Sequence, residues 1–153
     1  ALVVQGGLVR VAIPRLGAAR AIVLGIACYL TGHLLFALAT RGWMMFAITA
    51  VYALGGLAGP ALQGAISAQV PPTEQGELQG TLTSLISATG VVGPLLMTTL
   101  FAYFTGPQAP VQLPGAPFLL GFVLSALALL VALKPLRRLP ETPVPLAPAP
   151  AGH

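Results

Sequence analysis

Very few side chains in this sequence could do chemistry. There is one cysteine, Cys28, and of the two histidines only His33 lies within an apolar stretch. The acids are Glu74, Glu77 and Glu141. Cys28 has no second thiol for a disulfide and no neighbours with metal-ligand spacing, so neither a redox compartment nor a metal site is indicated. His33 titrates near neutral pH and could relay a proton; the other reading is a histidine that only hydrogen-bonds a neighbour. Glu74 and Glu77 stand beside an apolar run, where helix capping or a solvated face is the default. There is no Ser/His/Asp set, no pair of acids within an apolar segment and no phosphate-cradling loop. An enzyme is therefore not expected, and no cofactor is called for.

What remains is a pattern of amides, hydroxyls and glycines set into apolar segments. Tyr52, Gly55, Gly56, Gly59, Gln63 and Ser67 recur three or four apart, the spacing of one helix face, and Pro60 removes a main-chain hydrogen bond among them. Gly80, Thr83, Ser84, Ser87, Gly90 and Pro94 form a second such stripe, with Thr98 further along. On a helix in lipid, a small and polar stripe must face protein or water. Two readings stand: close packing alone, or packing together with the lining of a cavity. Gln63 favours the cavity, because a lone amide at membrane depth wants a partner or a ligand. Two greasier segments contrast with these. One holds Cys28, Tyr29, Thr31, Gly32 and His33; the other is Leu, Val, Phe and Ala apart from the small-residue pair Gly121 and Ser125. The contrast implies an inner and an outer pair of helices.

The elements that carry these residues follow from charge and hydropathy. Only 7% of residues are charged, against 56% hydrophobic, whereas an ordinary soluble domain is about a quarter charged. Uncharged stretches long enough to cross a hydrocarbon core predict transmembrane helices over 21–39, 43–67, 79–104 and 118–134. Helices are required because a lipid-embedded backbone must satisfy its own hydrogen bonds, and no two-residue alternation points to a barrel. The fold class is thus all-α integral membrane. Trp43 stands where an interfacial aromatic belongs. Residues 1–9 read as the end of a truncated helix, so the chain is expected to be a fragment of a longer protein. Residues 10–20 read as a basic loop, 68–78 and 105–117 as further loops, and the proline-rich tail 135–153 as disordered. If each helix crosses once, Arg10, Arg15, Arg20, Lys134, Arg137 and Arg138 share one side and Arg41 alone marks the other. The positive-inside rule makes the first side, with loop 68–78 and the C-terminus, cytoplasmic, and loop 105–117 periplasmic. The scattered bases make no phosphate-tracking stripe, so nucleic acid is not a partner; the bilayer is.

The segments Gly55 to Gly64 (GGLAGPALQG), Gln75 to Gly80 (QGELQG) and Ser87 to Leu96 (SATGVVGPLL), in that order, carry a resemblance. With Thr40 to Trp43 and with Arg15, Gly17 and Arg20, they resemble the C-terminal half of tetracycline efflux proteins, drug:proton antiporters of the major facilitator superfamily. The likeness runs from about Gln5 to Arg138. It implies twelve helices in two six-helix halves around a central cavity, the present segments being the end of the eighth helix and the ninth to twelfth. It also implies a small-molecule drug as substrate, protons as the counter-ion, and the missing N-terminal helices of the same protein as partners in a bacterial inner membrane. Arg15, Gly17 and Arg20 would form the basic loop that helps hold the cytoplasmic side closed. Gly90, Gly93 and Pro94 would let a helix pack and bend, as would Pro60. Gln63, with Tyr52, Gly56, Gly59, Thr83 and Ser87, would border the substrate pathway. Where such exporters carry an acid within the ninth helix, this sequence has Tyr29, and Arg10 stands in about the place of a loop glycine. From the residues alone, a self-contained four-helix oligomeric exporter and a non-transporting scaffold subunit stay open as alternatives.

Overall fold

The computed structural model describes residues 16–136. The expected truncated helix, Arg10, Arg15, Arg137, Arg138, Glu141 and the proline-rich tail from residue 137 onward lie outside the described residues. Among the described residues, five α-helices make four spans: α1, Ala18–Leu38; α2, Gly42–Leu54, continued through a 3-10 turn at Gly55–Leu57 into α3, Ala58–Ser67; α4, Gln75–Thr105; and α5, Ala116–Leu136. All four spans are long and apolar enough to cross a membrane.

Local chemistry sets the ends. Gly17 enters α1 at φ 79°, a left-handed conformation open to glycine, and its carbonyl accepts from Ala21 N at 3.1 Å. The helix therefore begins three residues before the expected span, and Arg20 lies in its first turn rather than in the preceding loop. Only residues 39–41 join α1 to α2. The Pro71 and Pro72 pair interrupts the chain after α3. α4 then starts at Gln75, with Glu74 at the cap position and Glu77 in the first turn, where a carboxylate complements the helix dipole. The Glu74 side chain makes no capping hydrogen bond. At 31 residues, α4 is about 46 Å long at 1.5 Å per residue. It exceeds a hydrocarbon core of about 30 Å and must tilt or protrude. Leu113 N to Phe104 O and Gln112 Nε2 to Gly106 O close the loop that follows.

Packing is uneven. α1 is the hub, touching α2, α3 and α5. Its core contacts are Ala21 and Ile22 against Ala61, Ala65 and Leu136. Glycine makes the approach close: a Cβ on Gly25 would lie 2.7 Å from both Cβ and N of Ala58, and one on Gly32 would meet Tyr52 Cδ2 at 2.7 Å. In return, Gly55 receives the Tyr29 ring. Small residues facing large ones let helix backbones approach where lipid supplies no hydrophobic drive. α5 docks similarly, with Gly121 beneath the His33 ring and Gly115 against the Ala37 carbonyl. α4 is the exception: none of its residues is buried.

Candidate functional site

The stripe expected along the second span is divided by the 3-10 turn. A 3-10 turn advances about 120° per residue and an α-helix about 100°, so three such residues rotate the two ends by about 60° relative to an unbroken helix. Tyr52 and Gly55 consequently turn onto α1. Tyr52 makes edge contacts with Tyr29 (ring centroids 4.7 Å apart), His33 (5.2 Å) and Phe36 (5.8 Å). Gly56, Gly59 and Gln63 stay off that interface, and a Cβ on either glycine would meet nothing within 4 Å. The sequence pattern thus holds two faces, one packed and one open.

The open face borders a cleft of about 370 Å³ between the second and third spans, lined by Gly59, Pro60, Leu62, Gln63, Ile66, Leu82 and Ile86. Thr83 and Ser87 are exposed on α4 one residue beyond Leu82 and Ile86, flanking the cleft rather than lining it. Gly90 is also open, with no atom within 4 Å of a Cβ placed there.

Pro60 and Pro94 share a local design. Each follows a glycine, Gly59 or Gly93, and each stands four residues after another, Gly56 or Gly90. Proline has no N–H for the carbonyl four residues back, and its ring crowds that residue and the preceding one. Glycine at both places relieves the crowding, so a G-x-x-G-P unit keeps a helix going through proline. α4 does run unbroken past Pro94, whereas the unit at Pro60 coincides with the 3-10 turn.

Gln63 has a partner the sequence did not reveal. Its Nε2 donates to Oε1 of Gln79 at 3.1 Å, and Gln79 Nε2 donates to Ser67 Oγ at 3.3 Å. Gln75 Nε2 reaches the Ser67 carbonyl at 3.5 Å. These amides bridge the two spans at the end of the cleft next to loop 68–74. Glutamines at 75 and 79, one turn apart, were the available signal; the register between spans, which sequence does not specify, was the missing information.

His33 sits elsewhere, between α1 and α5. Its Nδ1 lies 3.4 Å from Ser125 Oγ, and its ring covers Gly121. The small pair on α5 is therefore a socket for the imidazole. Gly17 and Arg20 sit at the foot of α1; Arg20 borders a separate apolar groove with Leu16, Leu24, Leu133 and Leu136. Among the described residues, no three His, Cys, Asp or Glu side chains are grouped to hold a metal.

Four apolar spans with short connections define a polytopic helical membrane protein. Residues 8–152 match the Major Facilitator Superfamily, and the chain belongs to that superfamily of transporters. It is 47% identical over 88 residues to tetracycline resistance protein, class C, of Escherichia coli, covering 58% of this chain and 22% of that protein. It is 39% identical over 131 residues to the class D protein of Salmonella ordonez, covering 86% of this chain and 31% of the relative. Similarity extends to human hippocampus abundant transcript-like protein 1, at 27% over 146 residues, 86% of this chain and 29% of that protein. The chain thus spans between 22% and 31% of the length of these relatives. No solved structure matches it significantly.

Proposed function

We propose that the chain is the C-terminal part of a bacterial inner-membrane exporter that moves a tetracycline-like drug out of the cytoplasm in exchange for protons. The observation that carries this reading is the unequal treatment of the spans. α1, α3 and α5 are bound into one packed body by glycine contacts and buried alanines, while the outer face of α3 and the exposed α4 hold an open cleft lined by Gly59, Pro60, Gln63, Leu82 and Ile86. An apolar cleft with one amide, that of Gln63, suits a mostly hydrophobic solute bearing hydrogen-bonding groups. The open faces of α3 and α4 would be completed by the N-terminal helices of the same protein.

Mechanistically, two halves rocking about a midplane site would expose the cleft to each side in turn, with Pro60 and Pro94 taking up the bending. Drug and proton must favour opposite-facing states for exchange to be driven. Gly17 and Arg20 at the foot of α1, with Arg15 before them in the sequence, would brace the cytoplasmic side, the side proposed for the C-terminus as well. The family match across residues 8–152 supports this reading over a free-standing four-helix exporter or a scaffold. The test is drug accumulation in cells expressing the complete gene. Accumulation of tetracycline should fall, and a protonophore should restore it. Accumulation that stays unchanged across a broad drug panel refutes the proposal.

A further inference from the structure

The second and third spans are joined by side-chain hydrogen bonds at one end only. Among the described residues these are Gln63 to Gln79, Gln79 to Ser67 and Gln75 to the Ser67 carbonyl. Beyond that end the two helices part around the cleft. The order of donors matters. The Ser67 hydroxyl oxygen accepts a hydrogen bond from Gln79 Nε2, and Gln79 Oε1 accepts one from Gln63 Nε2. The carbonyl oxygen and the second N–H of the Gln63 amide remain for the cleft it lines.

We propose that Gln79, steadied by Ser67, is a positioning residue for Gln63. It holds one N–H of Gln63 and so fixes the orientation of the amide, whose carbonyl oxygen is then the acceptor offered to an O–H or N–H of the transported molecule. This rests on the reading of Gln63 as a drug contact. An exposed glutamine has several rotatable bonds, and ordering it on ligand binding carries an entropic cost. An amide already held by a neighbour has lost that freedom beforehand, so less of the binding energy is spent in fixing it. Hydrogen-bonded amides in a low-dielectric setting also polarise one another, which strengthens the terminal acceptor. Gln79 is half-buried and Gln63 exposed, the arrangement in which a supporting group stands behind a contacting one.

The experiment uses the full-length protein in inverted membrane vesicles, with tetracycline as the probe and both KM and kcat measured. Gln79→Met keeps the length of the side chain and removes its hydrogen bonds. It should raise KM about threefold, the scale of an interhelical hydrogen bond in a membrane, with kcat held. Gln79→Glu keeps the acceptor for Gln63 Nε2 and should recover most of that loss. Ser67→Ala should give a smaller rise. In a Gln63→Ala background, Gln79→Met should add nothing, because the residue it positions is gone. Effects of Gln63→Ala and Gln79→Met that multiply in the double variant would overturn the positioning role. So would a fall in kcat at constant KM, the mark of an amide pair that only joins helices. If Gln63→Ala raises KM and Gln79→Met does not, the positioning role alone is lost. If Gln63→Ala leaves KM unchanged, the reading of Gln63 as a drug contact is lost as well.

Discussion

Gly25→Ala tests the packing of the first span most sharply. The added methyl would lie 2.7 Å from the Ala58 Cβ and 2.7 Å from the Ala58 backbone nitrogen. Carbon contacts are comfortable at about 3.5–4.0 Å, so α1 and α3 must separate by about 1 Å. A gap of that size forfeits up to about half of the dispersion energy of each contact it opens. Those contacts include the neighbouring ones at Gly55 and Gly32, and overpacking of this kind costs about 1–3 kcal/mol. Truncating Ala58 to glycine removes the Cβ and leaves the backbone nitrogen and the Cα, the latter at 3.0 Å, so Ala58→Gly should rescue Gly25→Ala only in part. Gly55→Ala behaves differently, because the three atoms nearest its methyl all belong to the Tyr29 ring. In a Tyr29→Ala background Gly55→Ala should cost nothing further. Thermal unfolding of the detergent-solubilised protein, followed by size-exclusion chromatography, measures each variant and both double variants. A neutral Gly25→Ala, or its complete rescue by Ala58→Gly, would refute the backbone contact from which these numbers are drawn.

Three further outcomes are expected. Pro94→Ala restores an N–H facing the Gly90 carbonyl, so thermal stability should hold or rise while drug uptake falls severalfold; uptake at the wild-type rate removes Pro94 from the mechanism. His33→Ala empties the socket over Gly121 and should destabilise by about 2–5 kcal/mol, as other large-to-alanine changes in packed interfaces do. The pH midpoint of uptake should stay in place, and a displaced midpoint would make His33 a proton carrier. In a Cys28→Ser background, a membrane-impermeant thiol reagent on intact cells should label a cysteine at Gln108 but not one at Thr73; the reverse pattern inverts the proposed topology.

The spans were legible because hydropathy acts residue by residue: uncharged runs between Arg20 and Arg41, and from Gln79 to Phe104, leave a helix in lipid as the only economical outcome. The facing of residues was less so. Tyr52 and Gly55 share the spacing of Gln63, and only the 3-10 turn, a tertiary response to Gly-Gly ahead of Pro60, rotates them onto α1. Periodicity assumes an unbroken helix and cannot carry such a rotation. Arg20 belongs to a helix and not a loop because Gly17 takes a positive φ, which composition permits without requiring. Gln63 stood out in the sequence as an amide wanting a partner or a ligand, yet naming Gln79 demanded the offset between two antiparallel rods. The Gly121 and Ser125 pair was visible as a helix contact, though nothing in its spacing identified an imidazole as the guest.

The glycine contacts of α1 also have a mechanical side. Where backbone lies against backbone, as at Gly25 and Ala58, there is no soft side chain to absorb sliding, so α1 cannot creep past α3 by a fraction of an ångström without collision. The same holds where Gly115 abuts the Ala37 carbonyl. These helices form a stiff frame. α4 touches nothing so closely: it meets α5 lightly and is otherwise tied to that frame by the loops at its two ends and by a clasp of glutamines. Any load on the molecule will deflect this single boom first, and the frame will follow only once its interlocking teeth have been forced apart.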